Sequence, residues 1–180
     1  MVVVPAGGPL GKPLAVGKFE ITVRDYNAYC ELSKACAVKA VSDDTVPLTD
    51  VSIQEAEQFA AWLSQQTHGL YRLPTTAEWE WAANAQGGAQ KGDLNCLVGS
   101  PSNPSKGARL RGVKTGEPNG WGLYNSVGNA REWAKDGSTL RALGGARTDH
   151  MDSCAPDLAV SHSGEADEVT GFRLVREIGG

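Results

Sequence analysis

The sequence predicts an α+β domain with two main helices, short antiparallel strands and long loops. Amphipathic helices are indicated where a Ser/Thr–Glu capping box precedes apolar residues at helical spacing. The 22 glycines among 180 residues predict many turns and little long regular structure. A chain of this length fits one domain, which we expect to cover residues 1–180.

The N-terminal part is expected to form a β-hairpin followed by a helix. Val2–Pro5 and Leu14–Ile21 flank a turn rich in glycine and proline, which is typical of a hairpin. Thr22 is placed to cap a helix that runs to about Leu32. One face of that helix is apolar, at Val23, Tyr26 and Cys30.

The clearest helix begins after Ser52, which can form a capping box with Glu55. His68 and Gly69 are typical of a helix C-terminus. Apolar residues recur at helical spacing between these ends, at Ile53, Ala56, Phe59, Ala60 and Leu63. The pattern therefore predicts a helix with one buried face.

A short strand at Tyr71–Leu73 is expected to lead into a further helix, capped by Thr75 and Glu78. Residues 87–118 are rich in Gly, Pro, Ser and Lys, so we expect a long loop without regular structure. Short strand-like segments separated by glycine turns follow, and the last predicted strand is Gly171–Arg176.

Charge and hydropathy exclude several classes of partner. The chain has 17 Lys and Arg against 21 Asp and Glu, a formal net charge of −4, and it lacks a basic run. We therefore expect no binding to nucleic acid or to an anionic membrane surface. The apolar stretches are too short to span a bilayer, so no membrane insertion is expected. The sequence does not indicate an oligomeric state.

The four cysteines allow two interpretations. Cys30 and Cys36 are close enough in sequence to close a small loop, which leaves Cys96 to pair with Cys154. Four reduced, partly buried thiols fit the sequence equally well. Disulfides would place the domain in the periplasm or outside the cell, because they persist in oxidising compartments.

Seven phrases occur in order from one end of the chain to the other. They are VVVPAG at Val2–Gly7, FEITVRDYNAYC at Phe19–Cys30, PLTDVSIQEAEQFAAWLS at Pro47–Ser64, YRLPTTAEWEWAA at Tyr71–Ala83, NGWGLYNSVGNAREW at Asn119–Trp133, LRALGGA at Leu140–Ala146 and GFRLVRE at Gly171–Glu177. Together they resemble the sulfatase-modifying factor (formylglycine-generating enzyme) family. The resemblance implies a C-type-lectin-like fold and places Trp79, Trp81 and Trp133 in the core.

The resemblance also implies one structural calcium site. Carried over position by position, its ligands are the Asn125 side chain, the carbonyl oxygens of Gly128 and Ala130, and the Glu132 carboxylate. Calcium prefers such a mixture of carboxylate, amide and carbonyl oxygens. We therefore expect one bound calcium ion that holds a loop.

The resemblance implies that the chemistry of the family's aerobic oxidases is absent. Those enzymes bind copper(I) between two cysteine thiolates and oxidise a substrate cysteine to formylglycine. The matching positions are Asp149 and Cys154, so only one soft ligand remains. We expect no copper site and assign no catalytic residue.

The loops near the C-terminus are the predicted ligand-binding region, because binding residues often lie on loops held by a rigid scaffold. The candidate residues for binding a protein or a small ligand are Arg147, Asp149, His150, Asp152 and His162. The same residues fit a metal or acid–base site, and they also fit an ordinary solvated loop.

Three functions remain open at this stage. The favoured one is a non-catalytic ligand-binding or sensory module with a structural calcium ion, within a larger bacterial signalling protein such as a Ser/Thr kinase. The second is a variable protein of a diversity-generating retroelement, which binds through its C-terminal loops. The third is an active formylglycine-generating oxidase that acts on a sulfatase cysteine, which Asp149 argues against.

Overall fold

A computed structural model describes residues 1–178 and shows an α+β fold. The described residues contain three α-helices: α1 (Val23–Ser33), α2 (Ile53–Thr67) and α3 (Thr76–Asn84). The ten strands are β1 (Val2–Val4), β2 (Leu14–Val16), β3 (Tyr71–Arg72), β4 (Val98–Ser100), β5 (Asn103–Lys106), β6 (Arg131–Asp136), β7 (Thr139–Leu143), β8 (Ala159–Ser161), β9 (Thr170–Gly171) and β10 (Val175–Glu177). The helices predicted after Thr22, Ser52 and Thr75 are thus all present.

Each helix begins with a complete capping box. The hydroxyl groups of Thr22, Ser52 and Thr75 each accept a hydrogen bond from the backbone N–H three residues later. The acidic side chain at that later position accepts a hydrogen bond from the backbone N–H of the capping residue. This satisfies N–H groups that a helix start leaves without partners. The helix starts predicted from Ser52–Glu55 and Thr75–Glu78 are confirmed, and α2 ends at His68 in a left-handed conformation as expected.

Two four-stranded sheets and a separate hairpin organise the strands. The first sheet has the order β1-β2-β10-β3, so the C-terminal strand lies between the N-terminal hairpin and β3. The second has the order β8-β7-β6-β9, and its β6–β9 pair is parallel rather than antiparallel. The N-terminal and C-terminal parts of the described chain therefore stabilise each other directly.

Two expectations about the strands need correction. The predicted loop at residues 87–118 contains the hairpin β4–β5, which two prolines and a serine-rich turn conceal in the sequence. The predicted strand Gly171–Arg176 is divided into β9 and β10, because the carbonyl groups of Phe172 and Leu174 bond to the 17–21 loop instead of a strand. That division turns the Arg173 side chain into the protein interior.

The main hydrophobic core lies between α1, α2 and the second sheet. Trp133 and Phe172 are fully buried in it, together with Tyr26, Tyr29 and Phe59. Trp79 is buried in a smaller cluster with Leu143. Trp81 is half-buried, and it packs against the turn at Gly8 and against Trp121. The core placement of Trp79 and Trp133 is confirmed, whereas Trp81 lies at the edge.

Both disulfides are formed, between Cys30 and Cys36 and between Cys96 and Cys154. The first closes the end of α1, and the second joins the loop after α3 to the segment after β7. The interpretation with four reduced thiols is therefore wrong. Among residues 1–178, no helix is long and apolar enough to cross a membrane.

The two disulfides should contribute unequally to stability. They close loops with sequence separations of 6 and 58 residues. Loop-closure entropy then predicts a loss of about 2 kcal/mol for the Cys30→Ser/Cys36→Ser variant and about 4 kcal/mol for Cys96→Ser/Cys154→Ser. Urea unfolding of both variants measures this difference, and equal losses or the reverse order would contradict the assignment.

Candidate functional site around the C-terminal loops

A fully buried ion pair contains Glu132, which is one of the predicted calcium ligands. The Arg173 guanidinium binds the Glu132 carboxylate through two bonds, from Nε to Oε2 at 2.6 Å and from Nη2 to Oε1 at 2.5 Å. Both side chains are only 1% exposed. The indole Nε1 of Trp79 donates a further bond of 2.6 Å to Glu132. A buried pair needs such additional bonds, because removing two charges from water is costly.

The remaining donors of Arg173 bind backbone carbonyl groups from two distant loops. Nη1 donates to the oxygen of Gly17 at 2.9 Å, and Nη2 donates to the oxygen of Tyr124 at 2.8 Å. One side chain thereby connects the segment between β9 and β10, the loop after β2 and the segment before β6. Burial has the largest single effect on the pKa of Arg173 and lowers it, but the charge and hydrogen bonds of Glu132 and the charge of Glu20 together outweigh burial, so the pKa is raised.

The ion pair and the expected calcium site share the Glu132 carboxylate. Glu132 was expected to offer its carboxylate to a calcium ion, but that carboxylate is already bonded to Arg173 and Trp79. The Asn125 amide group donates to Glu20 at 3.0 Å and to the carbonyl oxygen of Val113 at 3.1 Å. Two of the four predicted ligands thus already have partners within the protein, and calcium binding stays a prediction of the resemblance alone.

Glu20 is a second buried carboxyl group that the sequence analysis did not single out. It accepts bonds from the Nδ2 atoms of Asn125 and Asn129, each at 3.0 Å. Burial raises its pKa to about 8, although the Arg173 charge and the two amide bonds act in the opposite direction. The nearby Glu132 charge adds to the rise. Glu20 is therefore a carboxyl group that stays protonated near neutral pH.

Asp149 and Cys154 both have structural partners. The Asp149 carboxylate binds Arg131 through two bonds, from Nε at 3.0 Å and from Nη2 at 2.5 Å. It also accepts the backbone N–H of Ala146 at 2.7 Å. The sulfur of Cys154 is bonded to Cys96. Both side chains are thus engaged in contacts within the protein.

The other predicted ligand-binding residues do not converge on one site. The ring of His162 contacts Asp167 at 2.9 Å, accepts a bond from the Gly164 N–H at 3.1 Å, and packs edge-on against Trp133. His162 is therefore a structural residue. His150 is exposed, and so is Asp152. Of the five candidates, Arg147 is the one that lines a cleft.

The cleft beside Arg147 has a volume of about 610 Å³. Arg109 and Arg111 line it from the segment after the β4–β5 hairpin. Neither arginine was identified from the sequence, because residues 87–118 were expected to form a long loop without regular structure. The alternation in ARLRGVK at residues 108–114 places the two arginines two positions apart, which is a weak signal that they share one side.

Comparison with known proteins agrees with this fold. Residues 8–178 match the family described as the sulfatase-modifying factor enzyme 1-like domain. The chain belongs to the sulfatase-modifying factor family. It is 31% identical over 106 residues to the formylglycine-generating enzyme of Streptomyces coelicolor, covering 50% of this chain and 32% of that protein. The enzyme of Bos taurus is 33% identical over 117 residues, covering 52% and 28%. The match spans about a third or less of these curated relatives.

Three solved structures share the fold of this sulfatase-modifying factor domain at lower identity. PvdO from Pseudomonas aeruginosa has a TM-score of 0.80 at 20% identity, over 97% of this chain and 86% of that chain. Treponema denticola variable protein 1 has a TM-score of 0.72 at 23% identity, over 92% and 84%. CarF has a TM-score of 0.76 at 22% identity, over 99% and 94%. At these identities the likeness concerns the fold alone.

In this chain, the residues around Glu20 form a buried polar cluster. Asn125 and Asn129 belong to the phrase NGWGLYNSVGNAREW, and Arg173 belongs to GFRLVRE. The structure brings these two phrases together with Glu20 from the phrase FEITVRDYNAYC. Three of the family phrases therefore meet in one hydrogen-bonded cluster.

Glu20 should make the stability of the domain depend on pH. Its pKa is about 8 in the folded chain against an ordinary value of 4.5, so the folded state holds the extra proton between these values. Its contribution to the free energy of unfolding should therefore fall as the pH rises from about 4.5 to about 8, by on the order of a few kcal/mol. Glu20→Gln resembles the protonated carboxyl group and should lack this fall.

Urea unfolding of the wild-type protein and of Glu20→Gln at several pH values across this range provides the measurement. We expect the wild-type protein to lose stability relative to the variant toward the alkaline end. Parallel pH profiles of the two proteins would show that Glu20 is ionised throughout.

Proposed function

We propose that this chain is a ligand-binding domain of the sulfatase-modifying factor family that lacks formylglycine-generating chemistry. The observation that carries the proposal is the state of the two positions that match the copper ligands of the family's oxidases. Asp149 is held by Arg131, and Cys154 is held by Cys96. Both positions thus serve the structure of the loop.

Copper(I) chemistry requires ligands that these residues do not supply. Copper(I) prefers soft thiolate ligands, whereas Asp149 offers a hard carboxylate that is engaged by a guanidinium. The Cys154 sulfur is part of a disulfide, so it does not form the thiolate that copper(I) binds. The donor set therefore does not fit copper(I).

The same contacts give the C-terminal loop the rigidity that a binding surface needs. The disulfide at Cys154 and the ion pair at Asp149 fix this loop at two points. A third attachment is the parallel bridge between Leu97 and His150. Arg147 lies two positions before Asp149 and lines the cleft. Loops held in this way on a rigid scaffold are common binding sites.

The proposal includes an oxidising compartment and does not require the calcium ion. Two disulfides support a periplasmic or extracellular location, because thiols are kept reduced in the cytosol. Calcium is left out because Glu132 is bonded to Arg173. Ligand binding by the domain does not depend on either point.

The absence of oxidase activity can be tested with a sulfatase-derived peptide that contains the substrate cysteine. The purified chain is incubated with this peptide, copper(I) and oxygen, and the peptide is analysed by mass spectrometry. We expect no formylglycine, while the Streptomyces coelicolor enzyme assayed in parallel should produce it. Turnover above the level of a protein-free control would contradict the proposal.

Two variants test whether the residues at positions 149 and 154 determine copper(I) binding by this chain. Asp149→Cys combined with Cys96→Ser supplies two thiols at the matching positions, whereas Cys96→Ser alone supplies one. We expect the double variant to bind copper(I) measurably more tightly than the single variant. Equal affinities would show that other parts of the loop determine copper binding.

A further inference from the structure

We propose that the cleft lined by Arg109, Arg111 and Arg147 binds an oxyanion, a carboxylate or a phosphate, that is attached to an apolar body. The inference rests on the proposed ligand-binding function and names the chemical class of its ligand. It concerns residues outside the two positions that match the copper ligands. Failure of anion binding would therefore leave the absence of oxidase chemistry unaffected.

The cleft is built on one buried asparagine that fixes the backbone at two of its three arginines. Asn129 is fully buried. Its side chain accepts from the Arg111 N–H at 2.9 Å and donates to the Arg111 carbonyl at 3.2 Å. Its own carbonyl oxygen accepts from the Arg147 N–H at 3.0 Å. Two segments 36 positions apart in the sequence are thereby held side by side.

The third arginine is fixed in a similar way by a neighbouring amide. Asn95 donates to the carbonyl oxygen of Arg109 at 3.1 Å and to the Asn129 side chain at 2.9 Å. Gly107 reinforces the arrangement, because a Cβ atom there would lie 2.2 Å from the Arg147 carbonyl oxygen. The arginine backbones are therefore positioned before any ligand arrives, which lowers the entropy cost of binding.

The charge of the cleft is not neutralised from within. Across residues 1–178, neither Arg109 nor Arg147 forms an ion pair, in contrast to the buried Arg173 and the half-buried Arg131. Arg147 makes only long bonds to backbone carbonyl groups, at 3.3 and 3.5 Å. Arg111 shares Asp93 with Lys106, so its partner is already bound to another cation. The excess positive charge favours an anionic ligand.

One carboxylate opposes that charge at the edge of the cleft. Asp43 lines the cleft, and bonds from the Thr45 hydroxyl and N–H lower its pKa, so it is ionised near neutral pH. Three arginines against one aspartate leave a net positive charge in the lining. Because Asp43 repels an anion, its removal should strengthen binding.

The apolar part of the ligand follows from the apolar residues of the lining. Val41, Val46 and Leu110 line the same cleft as the arginines. Val41 is 49% exposed, so a ligand that covers it removes apolar surface from water. A guanidinium matches the geometry of a carboxylate or a phosphate through two parallel bonds. An oxyanion with an aromatic or aliphatic body matches both the charged and the apolar residues of the lining.

Isothermal titration calorimetry with phenyl phosphate and phenylacetate as probes tests this proposal on the intact chain. Inorganic phosphate serves as the probe that lacks an apolar body. The variants are Arg109→Ala, Arg147→Ala and Asp43→Asn, with Arg141→Ala as the matched control. Arg141 lies outside the cleft and bonds to the Ser161 hydroxyl, so its loss removes the same charge elsewhere.

We expect at least one organic probe to bind more tightly than inorganic phosphate, and its identity distinguishes a phosphate from a carboxylate ligand. Arg109→Ala and Arg147→Ala should each weaken binding by about tenfold or more, because bonds between charged groups are lost. Arg141→Ala should leave affinity within about twofold, since exposed charges outside a site contribute little. Asp43→Asn should tighten binding, which a misfolded variant does not do.

Three results would overturn the proposal. The first is the failure of both organic probes to bind, or to bind better than inorganic phosphate. The second is an equal loss of affinity in Arg141→Ala and in the two cleft variants, which would indicate a response to net charge alone. The third is weaker binding in Asp43→Asn. Circular dichroism of each variant establishes that the fold is retained.

Discussion

The ion pair between Arg173 and Glu132 is the contact through which the separate parts of this domain are joined. It lies where the C-terminal strand, the β6 strand, the α3 helix and the loop after β2 meet. Charges buried to this extent are tolerated only when each donor and acceptor finds a partner. The folded arrangement of these elements is therefore coupled, since displacing one of them would leave a buried charge without its bonds.

Polar contacts continue from this pair to the surface cleft. The charges of Arg173 and Glu132 both shift the pKa of Glu20. Glu20 also accepts hydrogen bonds from Asn125 and Asn129. Asn129 in turn fixes the backbone of the cleft arginines. The path runs from the centre of the domain to the predicted binding loops. A loop-rich domain thereby obtains rigidity from buried hydrogen bonds in place of long secondary structure.

Local features of the fold were predictable from the sequence, whereas contacts between distant segments were not. Capping boxes and apolar spacing located α2 and α3, because both signals involve residues within one or two helical turns. The partner of Glu132 is 41 positions away, so the resemblance could identify the residue without revealing that Arg173 occupies its carboxylate. Arg109 and Arg147 come together only in the folded chain.

The C-terminal loop carries structural contacts at the two positions that the resemblance assigns to copper ligands. Asp149 and Cys154 stand where the resemblance places a pair of copper ligands, and each now stabilises the loop through a different bond. The sequence analysis identified the loss of one thiol but left the pairing of the other open. The disulfide with Cys96 removes the second thiol as well. The loop that remains carries Arg147 at the cleft.

A double-mutant cycle on Glu132 and Arg173 tests the central claim most directly. The free energies of unfolding of the wild-type protein, Glu132→Gln, Arg173→Met and the double variant are measured in calcium and in chelator. We predict losses of about 3–5 kcal/mol for each single variant and a strongly non-additive double variant, with the same coupling in both buffers. Additive losses, or a coupling that is lost when calcium is added, would contradict the account.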